Sequence, residues 1–458
     1  MFNLMLITEI MARSGGGGSG GGDGGGGEII ALIGYFPSYY LGKLIKKLLP
    51  RTAELVVSAT FAALCSIVLL ILGITGGLFG TWFMILVIIG IWAGWGAAFF
   101  GIMERLKKRQ AAARQAISTA ALQDSAWNEE SLLAHARQTF LQYQYDWSTF
   151  NTASIQTYTS PRYMAHSSLL LSALRELGRT NVMAQVEIKN SLIVGVHDDA
   201  DNARDSFEVA FEASALDQLV DSNNTIMFKD TKPFIEYWHF IRSGESWLLD
   251  SIVQHTQDLS TANHSLRQFA ENNHMFYSLD MGWLLLPTKG VLMSRGKFGT
   301  SDINNHVVGT YNGRLVQLYT YTPVPGNKNN MSWLVLQVTL PKSYGGIITQ
   351  PRKKIFSSTS VYQKPPKSYK KYEFEWNDFN KRYSVHATDA DRLAAFELIN
   401  PGFMAYLYDN DPNAGIEVAD NVLYLYRYLG ARTTTTVHAG EYEVMLTIAL
   451  KAFKELQL

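Results

Sequence analysis

The chain has 458 residues, 40 of them basic and 40 acidic, so no net field recruits nucleic acid or an acidic ligand. Its one cysteine, Cys65, excludes a disulfide within the chain. The ten histidines are scattered, with no His-Glu-x-x-His and no cysteine set to bind zinc, and no repeat period of about 20 to 50 residues is visible.

Residues 1–12 are apolar but lack a basic leading region and are short for a secretory signal. Cleavage near Ala12 would leave the next glycines outside, against the charge pattern described below, and the charges decide the reading. Residues 14–27 are Gly- and Ser-rich. No strand precedes them and no Lys-Ser/Thr ends them, so residues 1–27 read as a flexible coil rather than a phosphate loop. Residues 28–50 mix apolar and basic residues at near-helical spacing. They predict an interfacial amphipathic segment, with Lys43, Lys46 and Lys47 facing anionic lipid.

Two apolar runs follow, 55–74 and 78–102, separated by Thr75, Gly76 and Gly77 and free of Asp, Glu, Lys and Arg. At a rise of about 1.5 Å per residue, roughly 20 residues cross the hydrocarbon, so residues 55–102 predict a transmembrane helical hairpin. Ser58, Thr60, Ser66 and Thr81 can bond back to their own helices. With no intramembrane charge, the hairpin reads as an anchor. Basic residues flank it on both sides and place both flanks in the cytoplasm. Lys43, Lys46, Lys47, Arg51, Arg105, Lys107, Lys108 and Arg109 are thus candidate contacts to anionic lipid. The expected location is a cytoplasmic inner membrane, multi-pass, with both termini and all soluble parts inside.

Residues 103–125 predict a basic, Ala-rich helical linker. Asn128 is an N-cap candidate for a helix through Phe150, with Leu132, Leu133, Ala136, Phe140, Tyr143 and Trp147 on one face. Ser160-Pro161 opens a further helix carrying Leu169, Leu170, Ala173, Leu174 and Leu177. Beyond Gly178 the pattern alternates through 182–196, 207–213, 227–228, 234–240 and 247–252, predicting antiparallel strands. Residues 126–259 therefore form an α+β domain with helices on one face of a curved sheet.

Four motifs in this region carry a resemblance: Phe140-Leu141-x-Tyr143-Gln144-x-Asp146-Trp147, Tyr158-x-x-Pro161-Arg162-Tyr163, Ala173-Leu174-x-x-Leu177-Gly178-Arg179, and Tyr237-Trp238-His239-Phe240-x-Arg242-Ser243-Gly244-x-Ser246-Trp247-Leu248-Leu249. They resemble the Tim-forty-four-like family, which shares the C-terminal domain of the import-motor anchor of the mitochondrial inner-membrane translocase. The resemblance implies a cone-shaped fold like nuclear transport factor two, with an apolar pocket that binds membranes or partner proteins. The candidate pocket residues are Phe140, Trp147, Tyr163, Leu170, Trp238, Phe240 and Trp247. No Arg-rich presequence and no chaperone-recruiting segment is found, so chaperone recruitment is not carried over. Bacterial relatives with a Gly-rich tract and hydrophobic spans are the nearer comparison. Arg242 is expected to pair with an acidic neighbour.

Residues 266–458 predict a second α+β domain. Strands are expected at 275–294, 307–322 and 331–341, a turn at 325–329, a helix over 390–399, a hairpin from 416–418 and 422–428, and a last amphipathic helix from His438. The run from Phe379 to Met404 resembles an uncharacterised bacterial membrane-protein domain, which implies no activity. The basic stretch 352–371 is an exposed loop or a second contact to anionic headgroups.

Catalytic signatures are weak. His197-Asp198-Asp199-x-Asp201 lacks the Gly and terminal Glu of a calcium loop, and Asp146 with His239 is the least implausible acid–base pair. The expected function is a membrane-anchored binding or scaffold protein with no cofactor and no metal. It would bind lipid or an unidentified protein partner and could form homo-oligomers, in protein translocation or envelope assembly. The alternatives are a small-molecule enzyme using the same pocket, or an oligomeric channel.

Overall fold

The computed structural model describes residues 25–48, 51–75, 77–255, 263–278, 284–285, 290, 303–311, 313–321, 332–352, 365–410, 414–430 and 437–455. The expectations for residues 1–12, for most of the Gly-rich tract, for the turn at 325–329 and for most of the basic stretch 352–371 lie outside them.

Three helices come first: α1 (Gly25–Leu48), α2 (Arg51–Thr75) and α3 (Gly77–Phe100). Among the described residues one helical stretch, Leu55–Thr75, is long and apolar enough to cross a membrane; the described apolar part of α3, Gly80–Gly96, is shorter. Val56, Phe61, Leu64, Ile67, Ile71 and Ile74 of α2 stand exposed, where a helix in the core of a soluble protein would bury them.

The Trp92 indole donates to Ser66 Oγ at 3.1 Å and the Trp95 indole to Ser58 Oγ at 3.0 Å, so α2 and α3 pack antiparallel. Those hydroxyls and that of Thr60 bond carbonyls three or four residues back, which satisfies them within the helix. Helix α1 runs parallel to α3. A Cβ on Gly90 would meet the Ala31 carbonyl and one on Gly94 the Tyr35 carbonyl, while Tyr39 packs with Ala98. The Gly90-x-x-x-Gly94 spacing allows backbone contact that any larger residue would prevent. The segment expected along the headgroups is therefore a helix with an apolar helix beside it.

Helix α4 (Ile102–Ala120) leaves α3 and enters the first α+β unit. Asn128 caps α5 (Glu129–Ser148) by accepting from Ser131 N, as its side chain and position predict. After α6 (Thr152–Tyr158), Ser160 caps α7 (Pro161–Glu176) with proline in its first turn. Five strands follow: β1 (Arg179–His197), β2 (Ser206–Asp221), β3 (Ile226–Asp230), β4 (Phe234–Ser243) and β5 (Ser246–Gln254). The antiparallel order is β1-β2-β4-β5, with β3 beside the far end of β2. Strands β1 and β2 outrun the expected segments because register shifts bend β1 without ending it.

The second unit begins at α8 (His264–Asn272), capped by Asn263, and contains β6 (Phe276–Ser278), β7 (Ile303–Tyr311), β8 (Arg314–Tyr321), β9 (Ser332–Pro351), β10 (Lys370–Tyr372), α9 (Asn377–Arg382), β11 (Tyr383–Ala387), α10 (Arg392–Leu398), α11 (Pro401–Asn410), β12 (Ala414–Gly430) and α12 (Ala439–Glu455). Its strands form one antiparallel sheet of seven among the described residues, with β12 along the whole of β9.

Two expectations are corrected here. The run 307–322 is two strands, because Gly313 at φ +73° turns the chain between Tyr311 and Arg314. The hairpin expected within 416–428 is one strand, because Asp420 at φ +56° makes a bulge instead of a turn. Helix α12 buries Tyr442, Met445, Ile448, Ala449, Ala452 and Phe453, the face its spacing predicts.

The units share a boundary. Leu284, Leu285, Val308 and Leu315 join the core of the first unit, and the His166 ring lies 4.9 Å from that of Phe276.

Candidate functional site

The connection between the apolar helices and the first unit is built on α4. Leu106 packs with Val194, Ala210 and Ile235, while Ala113, Ile117 and Ala120 enter the main core. Arg109 donates through Nε to Val194 O at 3.1 Å and through Nη2 to Glu208 Oε1 at 2.5 Å, and its guanidinium lies 5.4 Å from the centre of the Tyr237 ring. Arg109 is thus tied to the sheet. Arg105, Lys107 and Lys108 stay exposed, as does Lys43, whose ammonium sits over Tyr39. Lys46, Lys47 and Arg51 lie in α1 and α2, and their side chains are outside the described set.

Beyond α4 the chain is locked by a buried ion cluster. Arg242 pairs with Asp124 and with Asp205, the latter at 3.1 Å, and donates to Gly244 O at 3.0 Å. Its hydrogen bond holds the Asp124 carboxyl below the ordinary range. The Trp127 indole donates to Asp198 at 3.0 Å. The acidic partner foreseen for Arg242 is therefore two carboxylates. Nothing in the sequence singled out Asp124 or Asp205, because each meets Arg242 only after the sheet has formed.

The aromatic residues proposed as a pocket are brought together. Phe140 lies 4.9 Å from Trp238 and 4.6 Å from Phe211, Phe207 stacks on Phe240 at 4.8 Å, and Trp247 meets Phe207 at 5.0 Å. Phe140, Leu170, Trp238 and Phe240 are buried in full, and Trp147 and Trp247 nearly so. The Trp147 indole donates to Asn181 Oδ1 at 2.9 Å, and Tyr163 is half-buried with its hydroxyl 3.4 Å from that of Tyr143. Burial pushes the Tyr143 hydroxyl up to about 12. Each such ring stabilises the wedge between helices and sheet by about 3 kcal/mol.

The acid–base pair does not assemble. Asp146 is buried and accepts from Gln142, Asn151 and the Tyr158 hydroxyl at 3.0, 3.1 and 2.9 Å, so it ties the end of α5 to α6. No contact joins it to His239. In the acidic turn, Asp199 pairs with Arg204 at 3.0 Å and Asp201 accepts from Ala203 N, so these carboxylates serve their own loop. Among the described residues no three metal-ligating side chains converge.

No protein-family model and no curated protein matches the chain. Among solved structures, the crystal structure of the mycobacterial trehalose monomycolate transport factor A, TtfA, aligns at 12% identity over 44% of this chain and 96% of that one, with a TM-score of 0.29. The intermembrane space region of the chloroplast protein ARC6 aligns at 15% identity over 27% of this chain and 95% of that one, with a TM-score of 0.22. Neither score reaches the level at which a shared fold follows, so the family resemblance stands on its motifs.

Proposed function

We propose that this chain is a membrane-anchored binding or scaffold protein. In this reading α2 and α3 span the bilayer as a hairpin with α1 along it, and both α+β units lie on the cytoplasmic side. The first unit is a Tim-forty-four-like cone that takes an apolar group of a lipid or a partner protein at its aromatic wedge. Protein translocation or envelope assembly is the process this fits.

One observation carries the reading: α4 continues from the apolar helices and is fixed to the sheet by Leu106 and Arg109, which holds the first unit at the anchor instead of on a loose tether. Two others support it. The apolar side chains of α2 are exposed. The parallel run of α1 and α3, with Tyr39 beside Ala98, also brings Lys43 level with the start of α4. Lys43 then joins Arg105, Lys107 and Lys108 in one basic collar suited to anionic headgroups.

The test uses a single cysteine introduced after Gln110 in a Cys65→Ser chain. An impermeant maleimide should label it only after the cells are opened; labelling of intact cells would reverse the orientation. Crosslinking in membranes tests the binding role. Trp238→Phe should lose a crosslinked neighbour while keeping its circular dichroism, and an unchanged set of neighbours would remove the wedge from the proposal.

A further inference from the structure

We propose that the junction between the two units binds an oxyanion, a carboxylate or a phosphate, held by the Arg179 guanidinium and the Tyr424 hydroxyl. Arg179 opens β1 and is only 5% exposed. Its Nη1 donates to Leu284 O at 3.1 Å, and among the described residues no carboxylate reaches it. A guanidinium withdrawn from water without an anion is unstable, so native structures pair such groups.

The opposing face comes from the second sheet. Gln317, Gln337 and Tyr424 stand opposite one another on β8, β9 and β12. Tyr319 donates to Gln337 Oε1 at 2.9 Å, and Gln337 Nε2 donates to Leu285 O at 3.5 Å. Arg179 and Gln337 thus hold successive carbonyls, which brings Arg179 to the part of the sheet that carries Tyr424. The Tyr424 ring is buried and its hydroxyl has no hydrogen-bond partner. Tyr319 and Tyr424 are also close enough to Arg179 to couple to its charge electrostatically.

The Arg179 guanidinium can only donate and the unpartnered Tyr424 hydroxyl can donate as well, so a negatively charged acceptor, a carboxylate or phosphate, would satisfy both. Glu417, a buried carboxylate on the strand of Tyr424, accepts from the Tyr426 hydroxyl at 3.4 Å and makes no ion pair with Arg179.

The test titrates the full chain in neutral detergent and oxyanion-free chloride buffer with sodium phosphate, and separately with sodium octanoate, by calorimetry. Saturable binding of phosphate points to a phosphate or a headgroup, and binding of octanoate to an acyl acid. Tyr424→Phe keeps the ring and should weaken the bound anion about tenfold, the size of one charge-assisted hydrogen bond. Arg179→Met should abolish binding. Failure of both anions to bind the wild-type chain overturns the proposal, as does unchanged affinity in Tyr424→Phe. Melting gives a second readout that needs no ligand: a lone buried cation makes Arg179→Met more stable than wild type in every preparation. A chain purified with its anion is instead destabilised by that substitution.

Discussion

Arg242 and Arg179 are buried to nearly the same degree, at 7% and 5% exposure, and the chain treats them differently. Arg242 joins the turn after α4 to the sheet and has two carboxylates of its own. Arg179 joins the first unit to the second and has a backbone carbonyl. A cation matched from within is a fastener, since its energy is settled when the chain folds. A cation left with a neutral partner at a boundary between units is where something from outside can change the balance.

The largest effect should come from breaking the matched cluster. Arg242→Met strands Asp205, which is wholly buried, and should cost about 3 kcal/mol in urea unfolding. A loss below about 1 kcal/mol would show that the cluster is solvated and that the contrast with Arg179 is false.

Acid should separate the two regions next. Burial pushes the His166 and His306 rings down to about 4; the His306 ring and Arg162 add to the fall at His166, while the hydrogen bond with Gln317 opposes it at His306. The folded state then binds fewer protons than the unfolded one, so stability is full above pH 6.5 and falls as pH drops towards 4. The loss is on the order of 2 kcal/mol per ring by pH 5. Asp124 has the opposite shift: its depressed carboxyl stabilises the fold above the ordinary pKa near 4 and loses that only below it. Hydrogen-exchange protection factors, corrected for the intrinsic pH dependence of amide exchange, should therefore fall between pH 7 and 5 in α7 before they fall around Arg242. His166→Phe should flatten the α7 response, and an equal fall in both places would contradict the comparison.

In oxyanion-free buffer, Arg179→Met should shift stability in the direction opposite to Arg242→Met, raising it by about 1 kcal/mol. A slope of the opposite sign is expected at Asp217, a half-buried carboxyl pushed up to about 6 by desolvation although Asn181 donates to it. Its folded state holds the proton more tightly, so stability declines as pH rises from about 4 through 6. Asp217→Asn should remove that slope, and a slope that persists would assign it to another group.

The parts of this fold that local chemistry dictates were legible. Asn128 and Ser160-Pro161 mark helix starts because a short side chain accepts the first free amides. The buried face of α12 follows from its spacing. Length and connection in the sheets were less so. The Asn312-Gly313 dipeptide is itself a hairpin signal and could have divided 307–322, whereas Asp420-Asn421 resembles a turn and is a bulge because β9 continues beside it. The wedge aromatics were identified by type, but whether Trp238 lines a space or fills one depends on Phe140 and Tyr143, about a hundred residues earlier. Arg179 stood in a recognised motif with no hint of its burial, which arises from a contact with Leu284, 105 positions away.

Extraction of native membranes with alkaline carbonate tests the anchor on which both units depend. The exposed apolar surface of α2, from Leu55 to Thr75, predicts that the full chain stays in the pellet and enters solution only with detergent. Release by carbonate alone would mean that these helices are covered by protein, and the membrane-tethered account would fail.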